Sequence, residues 1–208
     1  MSSLDTFLGH VRPYAPGVPD PAAYKAIRLA AIEFCERTRL WKFEDDYDVS
    51  VDDCNSGIFT PNGSVLHDIE IVLFNGTELH PSTTRDLDRR EKGWRTGDLG
   101  GGLPKWYTQI DQSTLRIVPA MEGHLYVCFR LKPTQDATDL PEFISREYTE
   151  VIAWGALGRL LTIPGQSYSN PDLAQYYSAK FIDKIDRLNT KGVTGQQNAP
   201  KRTRPSFF

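Results

Sequence analysis

The apolar positions of this chain change period twice, from helical spacing at the start to two-residue alternation in the middle and back to helical spacing towards the end. Leu4, Phe7, Leu8 and Val11 lie three and four apart, which predicts a short opening helix with Ser3 as N-cap, stopped at Arg12-Pro13. After a stiff linker from Pro13 to Pro19, Asp20 and Pro21 supply an N-cap and a first-turn proline for a second helix. In it Ala23, Ile27, Ala31, Phe34, Thr38 and Trp41 form one stripe, while Lys25, Arg28, Arg37 and Arg39 fall largely off it.

Past Trp41 the period becomes two: Tyr47, Val49, Val51; then Val65, Ile69, Ile71, Leu73; then Leu115, Ile117; then Leu125, Val127, Phe129, Leu131. This predicts an antiparallel β region joined by Asn-Gly and Glu-Gly turns; Asn62-Gly63-Ser64 and Asn75-Gly76-Thr77 match the glycosylation sequon but are read as turns. A polar stretch over about 83–104 reads as a long mobile loop, with Arg89, Arg90, Trp94, Gly100, Gly101 and Gly102 in it. The triple glycine lacks the Lys-Ser/Thr that a phosphate loop needs and reads as a hinge or flexible tip.

Leu140-Pro141-Glu142 opens a third helix running to about Ile163 before Pro164-Gly165. Its apolar residues go nearly all the way round, which makes it the central helix, and Gly155 and Gly158 let another backbone come close. Asn170-Pro171-Asp172 caps a fourth helix, ended by Gly192. The expected fold is α+β, mainly an α-helical bundle of four helices with an inserted antiparallel β region and an extended C-terminal tail. The expected divisions are 1–41, the first bundle helices; 42–139, the β-rich insertion; 140–191, the helices that complete the bundle; and 192–208, a partner-docking tail.

A length of 208 residues suits one large domain or a core domain with one insertion. The net charge of −3 gives no global basic field, so non-specific nucleic-acid binding is not the default. Cys35, Cys54 and Cys128 follow no metal or disulfide spacing, and the four histidines sit in different elements, so neither metal nor cofactor is expected. No apolar run approaches the ~20 residues of a membrane helix, and no leader pattern opens the chain, so a soluble protein without a signal peptide is expected.

Two charged segments carry the candidate function. Glu44, Asp45, Asp46, Asp48, Asp52 and Asp53 crowd one stretch. Paired carboxylates serve hydrolases, whereas an acidic strand edge is more often solvated or turned towards a polyanion. The end of the chain holds Lys201, Arg202, Arg204, Pro205, Phe207 and Phe208, in which aromatic anchors beside cations read as a docking peptide.

The block Val11-Arg12-Pro13-Tyr14-Ala15-Pro16-Gly17-Val18-Pro19-Asp20-Pro21, with the helix through Glu33-Phe34-Cys35-Glu36-Arg37-Thr38 to Trp41, resembles the start of head-to-tail adaptor (head-completion, connector) proteins of tailed bacteriophages. Gly93-Trp94-Arg95, Pro104-Lys105-Trp106-Tyr107 and Thr114-Leu115-Arg116-Ile117-Val118-Pro119 resemble the β insertion of the same family. The resemblance implies a structural protein and no enzyme: a ring of copies, twelve in many, between portal protein and tail or nozzle protein. DNA passes through such a ring without specific binding, and a C-terminal extension grips the portal. It further implies a place at the head–tail junction of the virion, after assembly in the cytoplasm of the host bacterium. The acidic segment then faces the channel or a neighbouring subunit. Readings from other classes are a hydrolase of polysaccharide or nucleic acid working through residues 44–53, and an intracellular polymer-binding module.

Overall fold

A computed structural model describes residues 2–50, 55–96 and 102–194. The chain divides into two compact units, one made of residues 1–40 with 133–208 and the other of residues 41–132.

In the first unit, helices α1 (Asp5–Val11), α2 (Asp20–Thr38), α5 (Thr149–Leu160) and α6 (Pro171–Thr194) pack together, with the short α4 (Glu142–Glu147) leading into α5. A two-residue strand β1 (Ser2–Ser3) pairs antiparallel with β10 (Asp139–Leu140). Helix α5 is central because it is apolar on every side: from Val151 to Leu160 only Trp154 and Arg159 escape full burial. Glycine makes that possible. A Cβ on Gly155 would lie 2.8 Å from the Phe181 ring on α6 and 2.9 Å from Ala30 Cβ on α2, so both helices press against bare backbone there.

Polar groups fix the ends of these helices. Asn170 Oδ1 accepts the Leu173 N–H at 3.0 Å and caps α6. Arg39 closes α2 in the left-handed region (φ 54°), its N–H bonded to Cys35 O. Glu33 on α2 pairs with Arg37 of its own helix and with Arg159 on α5, and Arg37 pairs with Asp186 on α6. These pairs are about one-third or more exposed and set helix register more than they stabilise.

The second unit holds two four-stranded sheets. In the first, β2 (Lys42–Val49), β9 (Gly123–Pro133), β4 (Ser64–Phe74) and β5 (Thr77–Glu78) lie in the order β2-β9-β4-β5. In the second, β3 (Asn55–Gly57), β8 (Thr114–Val118), β7 (Trp106–Asp111) and β6 (His80–Pro81) lie in the order β3-β8-β7-β6. The alternation read in β9 is a burial pattern: Leu125, Val127, Phe129 and Leu131 are all buried. Asn75 (φ 46°) and Gly76 (φ 79°) both adopt positive φ, the pair of values a type I′ hairpin between β4 and β5 requires.

The expectation of a mainly four-helix bundle with a β insertion is corrected. Helix accounts for 40% of the described residues and strand for 28%, in six helices and three sheets, so this is an α+β fold in which the strands build a unit of their own. Four local differences contribute. The expected third helix is two helices, because Tyr148 leaves the helical region (φ −126°, ψ 15°) and turns its ring against Phe34, 5.0 Å between centroids. The β region is not wholly antiparallel, since β6 runs parallel to β7. The polar stretch read as a loop contains a further helix, α3 (Thr84–Arg90), and α6 runs through Gly192 to Thr194.

Candidate functional site

The second unit carries two charged surfaces of opposite sign. On β2, alternation puts Lys42, Glu44, Asp46 and Asp48 on one face and Phe43, Asp45, Tyr47 and Val49 on the other. Glu44, Asp46 and Asp48 are exposed. Antiparallel pairing sets Cys128, Tyr126 and His124 of β9 opposite these three. Lys42 and Arg130 both pair with Glu70 of β4, which neutralises that end of the sheet and leaves the carboxylates beyond it in excess. Burial and a hydrogen bond to Glu44 push the Tyr126 phenol up to about 12, so it stays a neutral donor.

His124 lies between two carboxylates, Nδ1 3.3 Å from Asp48 and Nε2 3.2 Å from Asp46. The hydrogen bond to Asp48, and next the charge of Asp46, raise its pKa above the ordinary histidine value. A raised folded-state pKa stabilises the fold fully below the unfolded value and ceases to do so as pH rises through the folded value. We expect an NMR titration to place the His124 midpoint above ~6.5, and Asp48→Asn to bring it down; a midpoint that ignores Asp48→Asn refutes the clasp.

The basic surface is built on α3. Thr83 caps this helix by accepting the Asp86 N–H at 3.2 Å. Leu87 points inwards and packs with buried Trp94 and Val118, with Trp106 half-buried beside them. Asp88 then organises the turn after the helix: it accepts the Trp94 indole N–H at 2.8 Å and both Arg95 Nε and NH2, at 2.8 and 3.0 Å. The hydrogen bonds from Arg95, and then from Trp94, hold the Asp88 carboxyl below the usual range. The Arg95 and Arg116 guanidiniums lie 4.6 and 5.2 Å from the Trp94 ring centre, and Arg90 lies 5.4 Å from that of Trp106. Among the described residues Arg85, Arg89, Arg90, Lys92 and Lys105 are exposed and have no acidic partner.

Of the residues expected in a mobile loop, Arg89 and Arg90 therefore belong to a helix, Trp94 to a buried cluster, and Gly102 is exposed; Gly100 and Gly101 lie outside the described residues. Asp52 and Asp53 of the acidic segment, and Lys201, Arg202, Arg204, Pro205, Phe207 and Phe208 of the tail, also lie outside them. The sequence reading missed α3, although Thr83-x-x-Asp86 ahead of Leu87 is a capping signal.

Among the described residues, this unit carries two grooves of substrate size. One of about 600 Å³ is lined by residues including His67, Asp68, Ser82, Thr83, Tyr107 and Thr108, and one of about 570 Å³ by residues including Thr60, Val65, Gln109 and Lys132. Neither is lined by Glu44, Asp45, Asp46 or Asp48, so these acids do not face a substrate-sized cleft there. No helix among the described residues is long and apolar enough to cross a membrane.

A family model described as SU10 adaptor protein matches residues 2–204, a span that includes both units and both charged surfaces. No curated protein matches the chain.

Proposed function

We propose that this chain, which belongs to the SU10 adaptor protein family, acts as a ring of copies between portal protein and tail at the head–tail junction of the virion, continuing the DNA channel. Family membership makes it a structural adaptor protein of a bacteriophage particle, associated with other head and tail proteins. The observation that carries the reading is the extent of the match, 203 of 208 residues from 2 to 204. The charge agrees with that job. A net −3 per copy, repeated around an axis, gives a lumen that repels DNA and lets it slide. Twelve copies, a portal on one side and a tail or nozzle protein on the other are the expected arrangement. Imaging of particles, or of the complex with portal protein, tests it; a single copy at the junction overturns it.

The tail beyond α6, with Lys201, Arg202, Arg204, Pro205, Phe207 and Phe208, is proposed to dock on the portal. Two buried phenylalanines supply on the order of 3–6 kcal/mol before ordering costs, and repetition around a ring multiplies modest contacts into a stable joint. A chain ending at Thr194 is expected to keep its melting temperature and lose most of its portal binding. Portal binding that survives the truncation rules the tail out as the anchor.

A further inference from the structure

We propose that the basic surface of α3 is a docking surface for the acidic edge strand β2 of a neighbouring copy of this chain. The inference rests on the ring reading and names the contact that closes the ring. Exposed cations usually find local acids, as Arg95 finds Asp88 here. Among the described residues Arg85, Arg89, Arg90, Lys92 and Lys105 do not, in a chain whose overall charge is negative. The surface is also ordered before any partner arrives. Leu87 and Trp94 anchor the helix and its following turn from beneath, Arg90 rests on Trp106, and Asp88 holds Arg95, so little ordering remains to be done on binding.

The partner is identified by spacing and by topology. Arg85 and Arg89 are one helical turn apart on α3, a rise of about 6 Å. Glu44, Asp46 and Asp48 recur on one face of β2 about every 6.8 Å. A strand laid along the helix therefore meets cation with carboxylate repeatedly. Asp46 is 61% exposed and Asp48 96%, so these carboxylates are open to a partner.

The two surfaces also adjoin different edges of the unit's sheets. Strand β2 packs beside β3, one edge of the second sheet, whereas α3 follows β6, the other edge. A copy that offers β2 to one neighbour has α3 free for the next. That is a head-to-tail contact between unlike surfaces, the kind that closes into a ring.

The test uses full-length protein with its portal protein, and counts copies by native mass measurement and imaging. One variant reverses the basic surface (R85E, R89E, K92E) and one reverses the acidic edge (E44K, D46K, D48K); measured at a pH above the His124 midpoint, where that histidine is neutral and its Asp46 and Asp48 partners add no stability, each should melt near the wild type, since the changed side chains are exposed. Each alone is expected to assemble about tenfold or more weakly, and the mixture should restore rings of alternating copies, because every contact again joins opposite charges. Wild-type assembly should weaken with added salt. Wild-type rings with undiminished assembly of either variant overturn this contact and leave the ring reading standing, while a wild type that stays a single copy overturns both. Loss confined to the basic variant, without rescue on mixing, assigns the surface to DNA or another partner and overturns the proposal. If a reversed chain fails to fold, the neutral set R85Q, R89Q, K92Q replaces it and must still weaken assembly.

Discussion

Replacing Trp94 with alanine should destabilise the residue 41–132 unit by about 3–5 kcal/mol, in the range of a buried aromatic truncated in a packed core. Trp94 is only 4% exposed and packs with Leu87 and Val118, so its removal leaves a cavity under α3 that a seven-residue helix has little means of closing. The loss extends beyond packing. Asp88 loses the indole N–H, and the Arg95 and Arg116 guanidiniums lose the ring they lie over. Trp94→Phe is the milder change, because it keeps an aromatic ring while removing the N–H to Asp88 and part of the indole's volume; it should cost about 2–3 kcal/mol, less than alanine. Denaturant unfolding followed by near-ultraviolet signals measures both. An alanine variant within about 0.5 kcal/mol of wild type shows that Trp94 does not anchor α3. If the basic surface is the contact between copies, Trp94→Ala should also weaken assembly under conditions where the rest of the fold persists.

Gly155→Val should destabilise the helical unit by about 3 kcal/mol, at the upper end of overpacking. A Cβ there already falls 2.8 Å from the Phe181 ring and 2.9 Å from Ala30 Cβ, well inside contact distance on two sides. Gly155→Ala is the sharper experiment. In an exposed helix interior it should gain up to ~1 kcal/mol of helix propensity, but at this crossing it must push α2 or α6 away, so a net loss is expected. Pairing Gly155→Ala with Phe181→Leu makes room on one side, and the double variant should be more stable than the sum of its singles predicts. Thermal unfolding of the four proteins gives the coupling. Gly155→Ala more stable than wild type contradicts the close crossing.

Much of the local structure was legible in the chain, and the reason differs from element to element. Helix α2 was visible from Asp20-Pro21 and the stripe that starts at Ala23, but it spans Asp20–Thr38 with Pro19 at the capping position, so Asp20 is its first residue and not its cap, and Trp41, the last residue of the expected stripe, lies beyond it. The Asn75-Gly76 hairpin follows from backbone sterics, since those two residues tolerate the positive φ that few others do. Asn170 caps α6 through its own side chain. Helix α3 was missed because Leu87 is its one buried residue; a stripe needs several. The crowd of carboxylates along β2 is visible in the chain, but nothing local marked His124, 76 residues from Asp48, as a partner of Asp46 and Asp48.

Side-chain period is a property of a segment and its two faces, so local sequence decided where most helices and strands run, which residues turn inward, and where Asn, Asp and Gly punctuate the chain. Strand partnership is not a local property. The order β2-β9-β4-β5, the parallel match of β6 with β7, and the division of the strands between two sheets depend on backbone groups far apart in the chain finding one another. The same holds for Tyr148, whose ring against Phe34 stands where one helix becomes two, and for Trp94, a polar-stretch residue buried between Leu87 and Val118. The balance between helix bundle and β unit was therefore settled by packing among distant residues.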